Sequence, residues 1–179
     1  MNKEAIAIQL SKKTIDIIRT TGRNNVQLIN IADNKANILM SVNAIMITIL
    51  VPMLLAHFDT IAQKHLFIPV GILGLTCIIT VIICAIVLRP ADIRKPKTQE
   101  IKSPFFFGSY YKMKSSEYLP FVIDSLEDSD DMSDYILQDH YVVGKVLGRK
   151  YQLIKRAYEI FVVGVGLTIL TTIITILFY

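Results

Sequence analysis

Three runs without a single Lys, Arg, Asp or Glu dominate the chain: Ala36 to Phe58, Leu66 to Leu88 and Ile160 to Tyr179. An α-helix rising 1.5 Å per residue crosses a hydrocarbon core about 30 Å thick with roughly 20 residues. Each run is long enough. Soluble core helices are also apolar, but three such runs in a chain of 179 residues argue against that reading. The expected fold class is an all-α membrane protein with three transmembrane helices, a helical cytoplasmic region and a long stalk helix continuous with the third span.

The positive charges give the expected orientation, because cytoplasmic loops are rich in Lys and Arg. Of the 19 Lys and Arg residues, Lys64 alone lies between the first two spans. The others precede the first span or lie between Arg89 and Arg156. A cytoplasmic N-terminus puts all of these on one side and leaves Tyr179 outside. The organisation read from this is an amphipathic cytoplasmic segment 1–35, span one 36–58, an external loop 59–65, span two 66–88, a cytoplasmic helical region 89–157 and span three 158–179. The net charge of +4 then reflects topology rather than affinity for DNA or RNA, and the basic face can attract anionic headgroups. The first run is too long for a secretory signal and follows a charged, amphipathic segment with no cleavage-site pattern.

Polar residues before and inside the first span recur regularly. Arg23, Gln27, Asn30, Asn34, Asn37 and Ser41 alternate steps of four and three, forming one stripe along a helix. Ala44 and Thr48 extend it into the membrane, while Leu28, Ile31, Ile38, Leu39 and Val42 lie opposite. Gly22 is expected to break this helix from a shorter one before it. Polar groups at membrane depth are costly unless they face protein or water. The stripe is therefore expected to point inward, either bonding other helices or lining a ligand pocket or gated path at its cytoplasmic end. In the third span Gly164, Thr168, Thr171, Thr172 and Thr175 make a small, polar face suited to close packing. Gly71 and Gly74 do so more weakly in span two. Asn37, Ser41, Ala44, Thr48, Gly164, Thr168, Thr171 and Thr175 are thus candidates for a packing or pore face.

Between spans two and three, Pro104 precedes an aromatic cluster, Phe105 to Tyr111, expected in an extended or turn segment. Ser116 is expected to cap a short helix near Glu117 to Leu126. Glu127 to Asp131 reads as a charged, solvated turn, lacking the glycine and closing glutamate of a calcium loop. A helix from about Asp134 to Phe178 would be about 67 Å long at 1.5 Å per residue, so much of it must project from the bilayer as a stalk.

No phosphate-binding glycine loop, HExxH motif or nucleophile elbow is present. His57, His65 and His140 are dispersed, and Asp139 and His140, being adjacent on a helix, point apart. Cys77 and Cys84 are seven apart on one helix, too far for a disulfide, and read as buried free thiols. No catalytic residue, metal site or cofactor is expected, and the chain reads as not an enzyme.

Three blocks carry a resemblance. Ile31-Ala32-Asp33-Asn34-Lys35-Ala36-Asn37-Ile38-Leu39, followed by Ser41-Val42-Asn43-Ala44, is similar to the signature before the first span of the Pycsar transmembrane effectors. Phe106-Phe107-Gly108-Ser109-Tyr110 with Glu117-Tyr118-Leu119 resembles their second block, and Tyr141 to Lys150 with Tyr151-Gln152-Leu153 and Ala157-Tyr158 resembles the third. The blocks cover most of residues 24–165. The resemblance implies an antiphage effector of the bacterial inner membrane. In that family a partner cyclase makes cyclic CMP or cyclic UMP, and the effector responds by disrupting membrane integrity, leading to abortive infection. Some relatives fuse this region to a hydrolase domain. None is present in these residues, and the region is expected to act alone or with separate partners.

A site for such a ligand needs charge for one phosphate and polar groups for a pyrimidine edge. Arg23, Asn30, Asp33, Asn34 and Lys35 from the stripe region, Lys145, Arg149 and Lys150 from the stalk, and Tyr110 are the candidates, with Phe106, Phe107 and Tyr111 available for stacking. The bilayer and further copies of the chain, as a homo-oligomer, are the other expected partners. Two alternatives stand beside the effector: a membrane adaptor recruiting a protein through its stalk, and a ligand-independent, holin-like toxin.

Overall fold

A computed structural model describes residues 12–89, 104, 110, 111, 113–127 and 129–178. Among these residues the chain forms helices and no strand: α1 Lys12–Ala56, α2 Phe58–Gln63, α3 Phe67–Leu88, α4 Ser115–Glu127 and α5 Ser129–Phe178. α1, α3 and α5 are each long and apolar enough to cross a membrane. The chain divides into two compact units: residues up to Leu28 with 90–147, and Ile29–Arg89 with Gly148–Tyr179.

α1 runs unbroken through Gly22, where a break was expected. A lone glycine costs a helix only about 1 kcal/mol relative to alanine, too little to end it when its neighbours favour the helix. The hydroxyls of Thr20 and Thr21 donate back to the carbonyls of Asp16 and Ile17, at 2.8 and 2.9 Å. Pro52 also lies inside α1 and offers no N–H to the Thr48 carbonyl, yet the helix continues to Ala56.

The connection to α3 is not a plain loop. It contains α2, closed by a left-handed cap at His65, whose φ is 52°. The Leu66 N–H donates to the Ile61 carbonyl at 3.0 Å and the His65 N–H to the Ala62 carbonyl at 3.3 Å. This pair of bonds satisfies the last carbonyls of the short helix. Phe58 and Phe67 meet edge to face at 5.5 Å across the reversal.

Within the second unit, the core is built where Ala36 and Leu39 of α1 meet Cys84 and Val87 of α3 and Ile154 and Ala157 of α5. Cys77 and Cys84 are buried free thiols. Small residues on α1 and α5 let the backbones approach. α3 is the most covered span, with 28% of its apolar window buried against 11% for α1 and 6% for α5, so lipid or further protein must cover most of all three. Gly164 of α5 lies directly against α3, where an added Cβ would overlap the Thr76 side chain. Gly71, expected to aid packing, faces open space, and Gly74 meets only Leu50, at 3.8 Å.

In the first unit, the N–H groups of Glu117 and Tyr118 donate to the Lys114 carbonyl at 2.9 and 3.0 Å. α4 therefore begins at Ser115, which puts Ser116 in its first turn rather than at the cap. Asp130 and Asp131 belong to the first turn of α5 rather than to a separate turn. α5 has 50 residues. At 1.5 Å per residue it is about 75 Å long, so it exceeds the hydrocarbon thickness more than twofold. The aromatic residues Phe105, Phe106 and Phe107 and the acidic Asp128 lie outside the described residues.

Thr76 cannot swing its own Cβ away from residue 164, so a side chain there must separate α3 from α5. Gly164→Ala is expected to lower the unfolding free energy in detergent by about 1–3 kcal/mol. Adding Thr76→Ala should recover part of that loss; an unchanged denaturation midpoint in the single variant would contradict the contact.

Candidate functional site

The polar stripe lies on the outside. Arg23, Gln27, Asn30, Asn34, Asn37, Ser41, Ala44 and Thr48 are all exposed. The face that α1 buries is Ala32, Ala36, Leu39 and Asn43, roughly 150° round the helix at 3.6 residues per turn. The inward expectation fails for the single chain, because alanines permit a closer helix contact than the stripe does. Thr48 partly satisfies itself by donating to the Ala44 carbonyl at 2.8 Å. Asn37 and Ser41 make no side-chain hydrogen bond to any described residue.

Asn43 is the polar residue that points inward. It is fully buried, and its Nδ2 donates to the Leu39 carbonyl at 2.7 Å. Its Oδ1 is buried without a partner among the described residues. On α3, the buried hydroxyls of Thr76 and Thr80 each donate to the carbonyl four residues back, at 2.7 Å. Thr168, Thr171, Thr172 and Thr175 of α5 do the same, at 2.7 to 2.9 Å, and are half-buried. These hydroxyls are therefore spent within their own helices. Asn43 was legible as a packing residue from its spacing: it stands seven after Ala36 and four after Leu39, on the face of α1 opposite the stripe.

Of the candidate ligand residues, the structure joins Asp33 to Lys150. Lys150 Nζ donates to Asp33 Oδ1 at 2.5 Å, with the two side chains largely withdrawn from solvent at 13% and 31% exposure. The pair extends the packed seam by about one helical turn, since Asp33 precedes Ala36 and Lys150 precedes Ile154. The Tyr158 hydroxyl adds a longer tie from α5 to α1, donating to the Lys35 carbonyl at 3.5 Å. Asn30, Asn34 and Arg149 are exposed and stand outside this clasp. Lys35 is exposed too, and its side chain lines a separate groove.

Candidates in the first unit are placed separately. Arg23 is exposed. The Lys145 ammonium sits 5.0 Å above the Tyr141 ring, a cation–π contact. Tyr110 packs on Tyr118 with ring centroids 5.0 Å apart and tilted by 43°, while Tyr111 is exposed. Phe106 and Phe107 lie outside the described residues.

Residues 17–178 match the family described as the Pycsar effector protein domain. The chain belongs to that family. Neither a curated protein nor a solved structure matches it. Membership makes the chain a Pycsar antiphage transmembrane effector, a membrane-spanning class rather than a known catalytic one. The effector's family match spans α1 almost from its start to the end of α5, so the stripe, the Asp33–Lys150 clasp and Asn43 all lie within the matched region. Among the effector's described residues, no group of three His, Cys, Asp or Glu side chains could hold a metal ion.

The clasp can be weighed by a double-mutant cycle. Asp33→Ala and Lys150→Ala should each lower stability by about 1–2 kcal/mol, between the values for exposed and for buried pairs. The double variant should be no worse than the weaker single one. Strictly additive losses, measured by chemical denaturation in detergent, would mean the two groups do not act as a pair.

Proposed function

We propose that this effector disrupts the bacterial inner membrane when it binds cyclic CMP or cyclic UMP released by a partner cyclase. Its N-terminus is cytoplasmic, so the clasp between Asp33 and Lys150 stands on the side where the nucleotide is made. The observation that carries the reading is the exposed stripe Asn37–Ser41–Ala44–Thr48, a polar face on a membrane span that the same chain leaves uncovered. Hydrocarbon is a poor solvent for an amide or hydroxyl, whereas water or a second copy supplies partners. Copies that bring these faces together would line a leak with groups able to hold water. The absence of Lys, Arg, Asp and Glu from the three runs favours a poorly selective leak over an ion-selective path.

The clasp supplies the switch in this reading. A cyclic nucleotide carries one singly charged phosphodiester, and among the described residues Lys150 is held by Asp33. Phosphate competing for Lys150 frees the carboxylate and loosens the seam between α1 and α5. Unlocking α1 in this way lets its stripe turn toward a neighbouring copy.

The test is dye release from liposomes holding the purified protein. Leakage is expected with cyclic CMP or cyclic UMP and not with cyclic AMP or without nucleotide. Ser41→Leu with Thr48→Leu should cut the nucleotide-dependent rate about tenfold, at roughly 0.6 kcal/mol per lost interhelical polar contact. Leakage without nucleotide would indicate a ligand-independent toxin. No leakage from inserted, folded protein would indicate an adaptor that acts through its stalk.

A further inference from the structure

A groove of about 470 Å³ opens on the second unit between the start of span one and the approach to span three, lined by Lys35, Tyr151, Ile154, Lys155, Tyr158 and Glu159. We propose that it binds the phosphodiester headgroup of an anionic membrane phospholipid. Lys35 is the last residue before the charge-free run that begins at Ala36, and Tyr158 stands two residues before the run that begins at Ile160. The groove is thus at the level where hydrocarbon gives way to headgroups. Lys side chains that reach outward and Tyr rings with one apolar and one polar end both suit that level.

The lining divides into parts that match a lipid. Ile154 is buried and gives an apolar floor. Lys35 and Lys155 are exposed and supply two ammonium groups for a phosphate. Tyr151 and Tyr158 are half-buried, with the Tyr158 hydroxyl anchored on the Lys35 carbonyl at 3.5 Å. That tie fixes one wall. Glu159 contributes the single opposing charge, and its contact with Lys155 is loose: 3.8 Å between two side chains that are 78% and 60% exposed. A pair so solvated contributes little, so Lys155 remains available for a stronger anion. Two ammonium groups against one carboxylate leave a net single positive charge, which suits a phosphodiester monoanion.

Phosphodiesters also occur in cyclic nucleotides. Placement decides for the lipid: an apolar floor at the bilayer boundary accepts a headgroup whose acyl chains continue into hydrocarbon, and a free nucleotide brings no such chains. The groove is distinct from the Asp33–Lys150 clasp, whose groups do not line it.

Native mass spectrometry of the full chain, purified in detergent, stripped of lipid and offered phosphatidylglycerol or phosphatidylethanolamine in equal amounts, tests the assignment. Phosphatidylglycerol should be retained about tenfold better, because both lipids offer the same phosphodiester but phosphatidylethanolamine adds an ammonium that the groove's net positive charge disfavours. Lys155→Gln should abolish that preference, whereas Glu159→Gln should strengthen it, a gain that a misfolded protein would not produce. Equal retention of the two lipids, or a preference unaltered by Lys155→Gln, would overturn the proposal. Inorganic phosphate and cyclic UMP form the remaining arms. Retention of phosphatidylglycerol in their presence supports the lipid, and its release by cyclic UMP through Lys155 would make the groove a nucleotide site instead.

Discussion

A polar side chain in hydrocarbon must find its hydrogen-bond partner within protein or trapped water, and the polar groups in these spans meet that demand in different ways. The threonines of α3 and α5 turn their hydroxyls back onto their own helices, at 2.7 to 2.9 Å, and present a nearly apolar surface. Asn43 does so with one end only, leaving a buried carbonyl oxygen unpartnered. Asn37 and Ser41 stay on the outside of α1. The bundle of one chain is thus closed around its small residues and incomplete around its polar ones.

The same constraint explains where the helices grip one another. The tight contacts are short-range ones between Ala36, Ala157 and their neighbours, and between Gly164 and Thr76. Lys150 and Asp33 add a charged tie one turn further along the seam, where water is closer and a charge is cheaper to hold. Among the described residues this seam is held by small side chains and the Asp33–Lys150 pair, so few interactions tie α1 to α5.

Much of this is legible in the sequence. Charge-free hydrophobic runs of this length specify spans, and alternating steps of four and three put the stripe on one face of α1. Its direction was not legible. Periodicity says which residues share a face, whereas coverage depends on which face packs more closely, and Ala32 and Ala36 outcompeted the asparagines. Local punctuation misled for a related reason: Gly22 could break α1 but the neighbouring turns carry the helix through, and Asp130 and Asp131 look like a turn until α5 is seen to begin at Ser129. His65 in a left-handed cap, with no glycine to announce it, was beyond residue statistics. The joining of Asp33 to Lys150 depended on the register between α1 and α5, which no single-helix pattern contains.

The central claim is that the uncovered stripe of α1 meets a second copy of the chain. Cysteine cross-linking in native membranes tests it most directly, in a background where the buried Cys77 and Cys84 are replaced by alanine. Thr48→Cys and Ile49→Cys place the thiol at the same depth on sides about 100° apart, and both parent side chains are exposed. The account predicts a covalent dimer from Thr48→Cys and Ser41→Cys, formed more readily when cyclic CMP or cyclic UMP is added, and little from Ile49→Cys. Equal cross-linking at Thr48 and Ile49, or none at either stripe position, would contradict it.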